Sequence, residues 1–347
     1  MSQAIIIRTP NHLGDCVMSL PMVNETREAY PGSRVTVLTP EHLAELYESN
    51  PGVDHVLKIP TAHVHGLIGV MKIKDIIAPG SYDLGYILPP SFGAAAGFKL
   101  AGVKQRIGYI ADGRRMLLTR PLPLPTPLNS SHRSETYFNL LRRGSGAELE
   151  FVRPKLFLNE ADTELANQML TRFDVGETDA FAVVAFQAVA ASRRWGSENY
   201  TQAIKQIITR FGLSVILVGT KDNSTLGNEI ATAAGTHQVT NLAGKTTLRE
   251  LAALISRARF FLGNDSGPAH LAAAVGAPLV VLSGADDPSE TSPISPLKRM
   301  IYRRQLGCIS CVKNVCPLKG ERQMQCMAEI SVEEVCTELA SLLEQTV

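Results

Sequence analysis

The chain has 347 residues, 45% hydrophobic and 19% charged, with 34 Lys and Arg against 33 Asp and Glu for a formal net charge of +1. This length predicts two domains, and the composition is that of a soluble α/β protein. The near-neutral balance excludes a global electrostatic case for nucleic acid, and no signal peptide or membrane span is expected, because "MSQAIIIRTP" lacks a basic leader and the apolar stretches at 84–103 and 268–284 are broken by Pro, Lys or His.

A cytoplasmic location is the default. Strand and helix alternate from the start. "AIIIRT" reads as a strand, and the loop "RTPNHLGDCVMSLP" leads into a helix from Val17 to Tyr30. Strand "RVTVLT", helix "HLAELYES" and strands "HVLKI" and "LGYIL" follow. Such units argue for a parallel sheet with helices on both faces. The proline-rich "RPLPLPTPL" (120–128) is expected as a loop or extended crossover, and a helix runs from Ser134 to Arg143. After helix "ADTELANQMLTRF", the segment "DVGETDA" is the expected linker. The pattern then begins again with strand "FAVVAF", helix 198–211, strand "SVILVG", a helix near 225–235, strand "QVTNLAG" and helix "TLRELAALISRA". The expected domains are 1–174 and 175–330, facing each other across a cleft, with an amphipathic C-terminal helix at 331–347 that packs back on either domain.

Three places carry polar groups suited to chemistry. In the first loop Gly14 permits a tight turn, and Asp15 sits where a helix follows a strand. A carboxylate there serves either as a general base or as an acid satisfying the helix dipole. In "FFLGNDSGPAHLAAAVGAPLVVLSG" (260–284), Asp265 and Ser266 lie at the carboxyl end of a strand, beside a helix N-terminus that attracts anions. His270 follows Ser266 by one helical turn, so the stretch is either a seat for a phosphorylated ligand or a capped helix with an ordinary surface histidine. Cys308, Cys311, Cys316 and Cys326 have the spacing C-x2-C-x4-C-x9-C, which suggests a structural zinc or iron site or, alternatively, a packed thiol cluster. Nothing in the sequence places them beside Asp15 or the Asp265 turn.

"LGDCVMSLPMV", "SRRWGSENY" and "GNDSGPAHLAAAVGAPLVVL" together resemble the ADP-heptose:lipopolysaccharide heptosyltransferases, an inverting glycosyltransferase family with the GT-B fold of two Rossmann-like α/β domains. "YILPPSFGAAAGFKLAGVKQRIGY" and the cysteine pattern look most like its heptosyltransferase II branch. The resemblance implies Asp15 as the base that takes the acceptor proton. It implies a donor site at Asp265, Ser266, Gly267 and His270, and catalysis with no required cofactor. Where the family carries Lys-Arg-Trp-Pro, this chain has Arg193-Arg194-Trp195-Gly196, so Arg193 replaces the pyrophosphate-contacting lysine with charge retained. Asp222 stands near the family's ribose-contacting acid. The basic residues Arg106, Arg114, Arg115, Arg120 and Arg133 form either a solvated face or, given the family, a docking surface for an anionic inner-core acceptor. The implied partners are ADP-heptose and that acceptor, with peripheral contact at the inner membrane. The rival readings are a non-catalytic sugar-nucleotide-binding protein and a GT-B enzyme with another nucleotide sugar or acceptor.

Overall fold

A computed structural model describes residues 2–64, 66–125, 131–173, 175 and 180–345. The chain divides into two compact units, Met1–Phe157 and Leu158–Val347. In the first, the strands are β1 (Ala4–Arg8), β2 (Arg34–Pro40), β3 (His55–Ile59), β4 (Leu84–Ile87), β5 (Gln105–Tyr109) and β6 (Arg120–Leu122). They pair in parallel in the order β3-β2-β1-β4-β5-β6. All five residues of β1 are buried, as expected for a strand covered on both faces. The helices are α1 (Leu13–Met18), α2 (Leu20–Asn24), α3 (Thr26–Ala29), α4 (Gly66–Ile77), α5 (Phe92–Leu100) and α6 (Arg133–Ser145).

The second unit repeats this plan. Its strands are β7 (Phe181–Ala185), β8 (Ser214–Val218), β9 (Val239–Asn241), β10 (Phe260–Asn264), β11 (Leu279–Ser283) and β12 (Lys298–Tyr302), ordered β12-β11-β10-β7-β8-β9 and all parallel. Its helices are α7 (Glu160–Arg172), α8 (Ser197–Phe211), α9 (Ser224–Ala234), α10 (Leu248–Arg257), α11 (Gly267–Ala274), α12 (Pro288–Thr291), α13 (Gln325–Ala328) and α14 (Val332–Glu344). Counted from its own first strand, each sheet runs 3-2-1-4-5-6. The order therefore reverses between β1 and β4 and between β7 and β10, where ligands of such sheets bind outside the strand carboxyl ends.

The structure departs from the sequence reading in several places. The expected helix 17–30 is three short helices starting at Leu13, because Pro21 occupies the first turn of α2 and the Ser19 and Thr26 hydroxyls bond back to the carbonyls of Cys16 (2.8 Å) and Met22 (2.7 Å). "HLAELYES" forms a 3₁₀ turn over Glu41–Leu46. α4 was hidden by Gly66 and Gly69, which lower helix propensity. Gly69 is required because a Cβ there would lie 2.6 Å from the His63 carbonyl oxygen. β6 falls within the proline-rich stretch, where an edge strand tolerates Pro121; residues 126–128 lie outside the described residues. So does Asp174, where the domain boundary was expected, and most of the 174–180 linker.

The division at Phe157 has a physical cause. α7 packs on α10, and Asp162 pairs through both carboxylate oxygens with Arg249 while its backbone partner Asn159 completes a capping box. α14 buries Val335, Leu339 and Leu342 in the core of the second unit, with Glu333 forming a bidentate pair to Arg210 of α8. Its core neighbours belong to the second unit, one of the two packings the sequence left open. Removing one partner of a buried ion pair costs about 3–5 kcal/mol. Asp162→Ala is expected to lower stability by about that amount in urea unfolding followed by circular dichroism. The double variant Asp162→Leu/Arg249→Met should recover part of the loss, and a change under about 1 kcal/mol in Asp162→Ala would show that the pair does not hold α7 in place.

Candidate active site

In the first unit Asp15 lies in the first turn of α1, its side chain 22% exposed. α6 supplies both of its partners. Tyr137 donates its hydroxyl to Asp15 Oδ1 at 3.3 Å, and Arg133 Nη1 stands 3.5 Å from the same oxygen. α6 is held against α1 by the buried Ser134 hydroxyl, which donates to the Met18 carbonyl at 2.7 Å. Burial, and then the Asp15 charge, push the Tyr137 phenol well above its ordinary pKa, so it stays a donor. Asp15 Oδ2 has no hydrogen-bond partner among the described residues. A partly exposed carboxylate with one anchored oxygen and one open one can accept a proton from a hydroxyl brought to it.

The five basic residues do not form one surface. Arg114 is fully buried, donating from Nε to the Tyr109 carbonyl at 2.9 Å and from its Nη atoms to Pro89 and Ile87. It braces the ends of β4 and β5, so the expectation of a docking cation there is corrected. Arg106 donates to the carbonyls of Leu117 (2.7 Å) and Val103 (2.5 Å), and Arg120 to that of Gly144 at 2.6 Å. Arg115 is exposed, and Arg133 is exposed beside Asp15.

In the second unit the charges gather at the switch point. β10 ends in Asn264 and delivers Asp265, 3% exposed, to the N-terminus of α11. Ser283, at the end of β11, donates to Asp265 Oδ2 at 3.2 Å. His270 Nε2 stands 3.9 Å from Asp265 Oδ1. Arg193, in the turn after β7, pairs with Asp286 at 2.6 Å. Burial first, and the like charge of Asp286 second, push the Asp265 carboxyl up to about 7, against the opposing pull of Ser283, Arg193 and Lys298. Burial lowers the Lys298 ammonium pKa. In this cluster two buried donors, Arg193 Nε and the Asn264 Nδ2 amide, have no partner among the described residues. Buried donors are rarely left unmet, so they mark room for acceptor oxygens of a ligand.

Of the donor residues expected from sequence, Arg193, Asp265, Ser266, Gly267 and His270 gather here. Arg194 instead turns back to the carbonyls of Ala188 (2.8 Å) and Val189 (3.3 Å). Asp222 is exposed in a 3₁₀ turn after β8, with no side-chain bond to this cluster. Ser283, Asp286 and Lys298 were missed. The signal available was the pair Asp286-Asp287, which follows Gly284-Ala285 after the apolar strand "LVVLS".

The cysteine loop touches this site, contrary to the sequence reading. Ser192 donates its amide to the Asn314 carbonyl at 3.1 Å and its hydroxyl to that of Lys313, while the Val312 amide bonds the Ala285 carbonyl at 2.8 Å. The loop thus straps the residues preceding both members of the Arg193–Asp286 pair. Val312 holds φ 52°, a left-handed conformation that a β-branched residue adopts only under constraint. All four cysteines, as free thiols, line one cavity of about 60 Å³ with Ser192, Gly284 and Ala285. Burial and the three neighbouring thiols push Cys326 up. Among the described residues no three His, Cys, Asp or Glu side chains are disposed to hold a metal ion. The thiols converge, but not in the arrangement of ligands around one ion.

The chain belongs to glycosyltransferase family 9 (heptosyltransferase), whose family model matches residues 70–321. It is 28% identical to lipopolysaccharide heptosyltransferase 2 of Escherichia coli K12 over 98% of this chain and 99% of that protein. The solved structure of E. coli ADP-heptose LPS heptosyltransferase II matches with a TM-score of 0.83 at 26% identity, covering 100% of this chain and 99% of that one. A family 9 glycosyltransferase from Veillonella parvula shares the fold, with a TM-score of 0.86 at 19% identity over 99% and 98% of the two chains. The chain is therefore a two-domain α/β glycosyltransferase of the GT-B type.

The raised Asp265 carboxyl has a consequence for stability. Its pKa is about 7 in the folded protein and near 3.8 when unfolded, so the folded state holds the proton more tightly. Its contribution is greatest at low pH and falls as pH rises towards about 7, by up to about 1.4 kcal/mol per pH unit. Asp265→Asn removes that fall. Its stability relative to wild type, from chemical denaturation, should rise between about pH 5 and about pH 8; a constant difference would show that Asp265 is ionised throughout.

Proposed function

We propose that this glycosyltransferase transfers heptose from ADP-heptose to the lipopolysaccharide inner core, the activity named for its heptosyltransferase II relatives. The observation that carries the donor half is the cluster at the β7/β10 switch point, with Arg193 Nε and the Asn264 amide unpartnered beside the start of α11. In this reading those donors and Ser266 face the pyrophosphate, and Asp265 and His270 face the sugar. Protonated near neutral pH, Asp265 leaves the positive charges of Arg193 and Lys298 in surplus over Asp286. That surplus is available to an anionic leaving group, the kind of stabilisation that dominates many transfer reactions.

Asp15 acts on the acceptor. Its open oxygen takes the proton from an acceptor sugar hydroxyl, and the oxygen of that hydroxyl attacks the anomeric carbon of the donor heptose. The bond from that carbon to the ADP oxygen breaks, the electron pair leaves with ADP, and the configuration inverts. Tyr137 and Arg133 hold the carboxylate during proton transfer. Of the five basic residues expected to meet an anionic acceptor, Arg115 and Arg133 are the ones this reading keeps for it, both exposed and Arg133 beside Asp15. The acceptor is lipid-borne, and Leu67, Ile68 and Met71 project from α4 with 85%, 70% and 49% exposure, an apolar stripe suited to the cytoplasmic face of the inner membrane. No described helix is long and apolar enough to cross a membrane. The cysteine cluster has a structural role in this reading, as packed thiols whose loop straps Ser192 and Ala285.

The deciding assay is ADP release from ADP-heptose with and without heptose-deficient inner core. Asp15→Asn should lower turnover by about 10²–10⁴-fold with donor binding intact by calorimetry, and activity within a few-fold of wild type would remove Asp15 from the mechanism. Ser192 is a positioning residue for Arg193. Losing its side-chain bond should weaken donor binding by about 1 kcal/mol, so Ser192→Ala should raise the ADP-heptose KM roughly fivefold at unchanged kcat. Ser192→Thr should rescue it. An acceptor KM that rises instead would place the strap elsewhere in the mechanism.

A further inference from the structure

The first unit has its own switch point, and a cavity of about 90 Å³ sits there. One wall is Arg8 and Asn11 at the end of β1; the other is Ser91, Gly93 and Ala94 at the start of α5, with Gly69 of α4 beneath. Its volume is several times the roughly 10–15 Å³ that one water requires. None of these residues belongs to the site built around Asp15.

Arg8 is 1% exposed, and among the described residues no carboxylate pairs with it. Its Nη1 donates to the Thr9 carbonyl and its Nη2 to Asn11 Oδ1 at 2.5 Å, while Nε has no partner. Two titratable groups neighbour it, Cys16 and Tyr47. Burial pushes the Cys16 thiol up to about 11 and the Tyr47 phenol well above its usual value, so both are neutral at physiological pH. Arg8 itself, pulled down to about 10 by burial, remains charged. A buried cation without a counter-charge is costly by several kcal/mol, and a bound anion offsets that cost.

The facing wall has matching donors. α5 spans nine residues and presents its positive end to the cavity. The Phe92 amide is taken by Oδ2 of Asp112, an exposed carboxylate that is not part of the cavity wall, at 2.8 Å. The Ala94 amide is taken by the Ser91 hydroxyl oxygen at 3.3 Å. The Gly93 amide has no acceptor among the described residues, and the Ser91 hydroxyl proton is free to donate. Gly93 also leaves the space open, since a Cβ there would meet Val70 Cγ2 at 3.3 Å.

We propose that this cavity is an oxyanion site, in which the Arg8 guanidinium and the first turn of α5 bind a phosphate-ester or carboxylate group of the acceptor. That the anion belongs to the acceptor rests on the proposed transfer reaction; the site itself does not. The test is thermal unfolding of the full chain titrated with inorganic phosphate and, separately, acetate. Saturable stabilisation is expected in wild type and in Arg193→Ala, which weakens phosphate binding at the donor site. It should be lost in Arg8→Met, which replaces an unbalanced buried cation with an apolar group of similar length, and in Gly93→Leu, which fills the cavity with Arg8 in place. A response to phosphate alone assigns the phosphate-ester source, and one to acetate alone the carboxylate. An anion response in Arg8→Met equal to that of wild type, or none in wild type with either anion, overturns the proposal. Anion binding that depends on Arg8 in a protein that releases no ADP from ADP-heptose would retain the site and reject the transfer reaction.

Discussion

The chemistry of the second unit depends on the burial of two carboxylates, Asp265 and Asp286, near the ends of neighbouring strands with one arginine between the demands of both. Asp265 is 3% exposed and Asp286 7%, so neither charge is shielded by water. Arg193 satisfies Asp286, and what Asp265 receives is a hydroxyl, a distant imidazole and the field of Lys298. Like charges in low dielectric cannot both ionise cheaply, so one carboxyl holds its proton up to about neutral pH. The remaining positive charge, the unpartnered donors and the α11 N-terminus then point to one kind of ligand, an anion with several oxygens.

The same topology produces a different electrostatic answer in the first unit. There the switch point holds a buried arginine, and its titratable neighbours are a thiol and a phenol that burial keeps neutral. Asp15 lies in the first turn of α1, beyond the loop that follows β1, anchored by α6 rather than by the sheet. In the proposed transfer, the base and the grip on an anionic group fall to different residues of one β-strand–helix connection.

Much of this was legible in the sequence. The apolar runs "AIIIR", "FAVVA" and "LVVLS" gave the central strands, because parallel strands buried on both faces need no alternation. "NDSGPAH" gave the turn from β10 into α11, since cap and proline positions are local properties. The inner strand β5, the edge strands β6 and β12 and the glycine-broken α4 escaped, being specified by pairing and close packing rather than by their own residues. Arg114 escaped for a related reason. A run of basic residues carries no mark of which side chain turns inward to brace carbonyls, and only the fold decides that.

The departures from the family's pattern are coupled in space. Gly196 holds φ 97°, which proline, fixed near −65°, cannot adopt. The backbone between Arg193 and α8 therefore takes a path that the usual Lys-Arg-Trp-Pro sequence could not follow. Trp195 keeps its place on that path, its indole N–H bonded to the Ile330 carbonyl at 2.8 Å and its amide to Asn264 Oδ1 at 3.2 Å. With Trp195 fixed at one end and Ser192 strapped to the cysteine loop at the other, the position of Arg193 is set from both sides. An arginine at this point reaches Asp286 and still leaves Nε open, whereas a lysine has a single nitrogen for both tasks. Arginine, glycine and strap therefore form one local solution to holding a cation beside a buried acid while keeping a donor for the ligand.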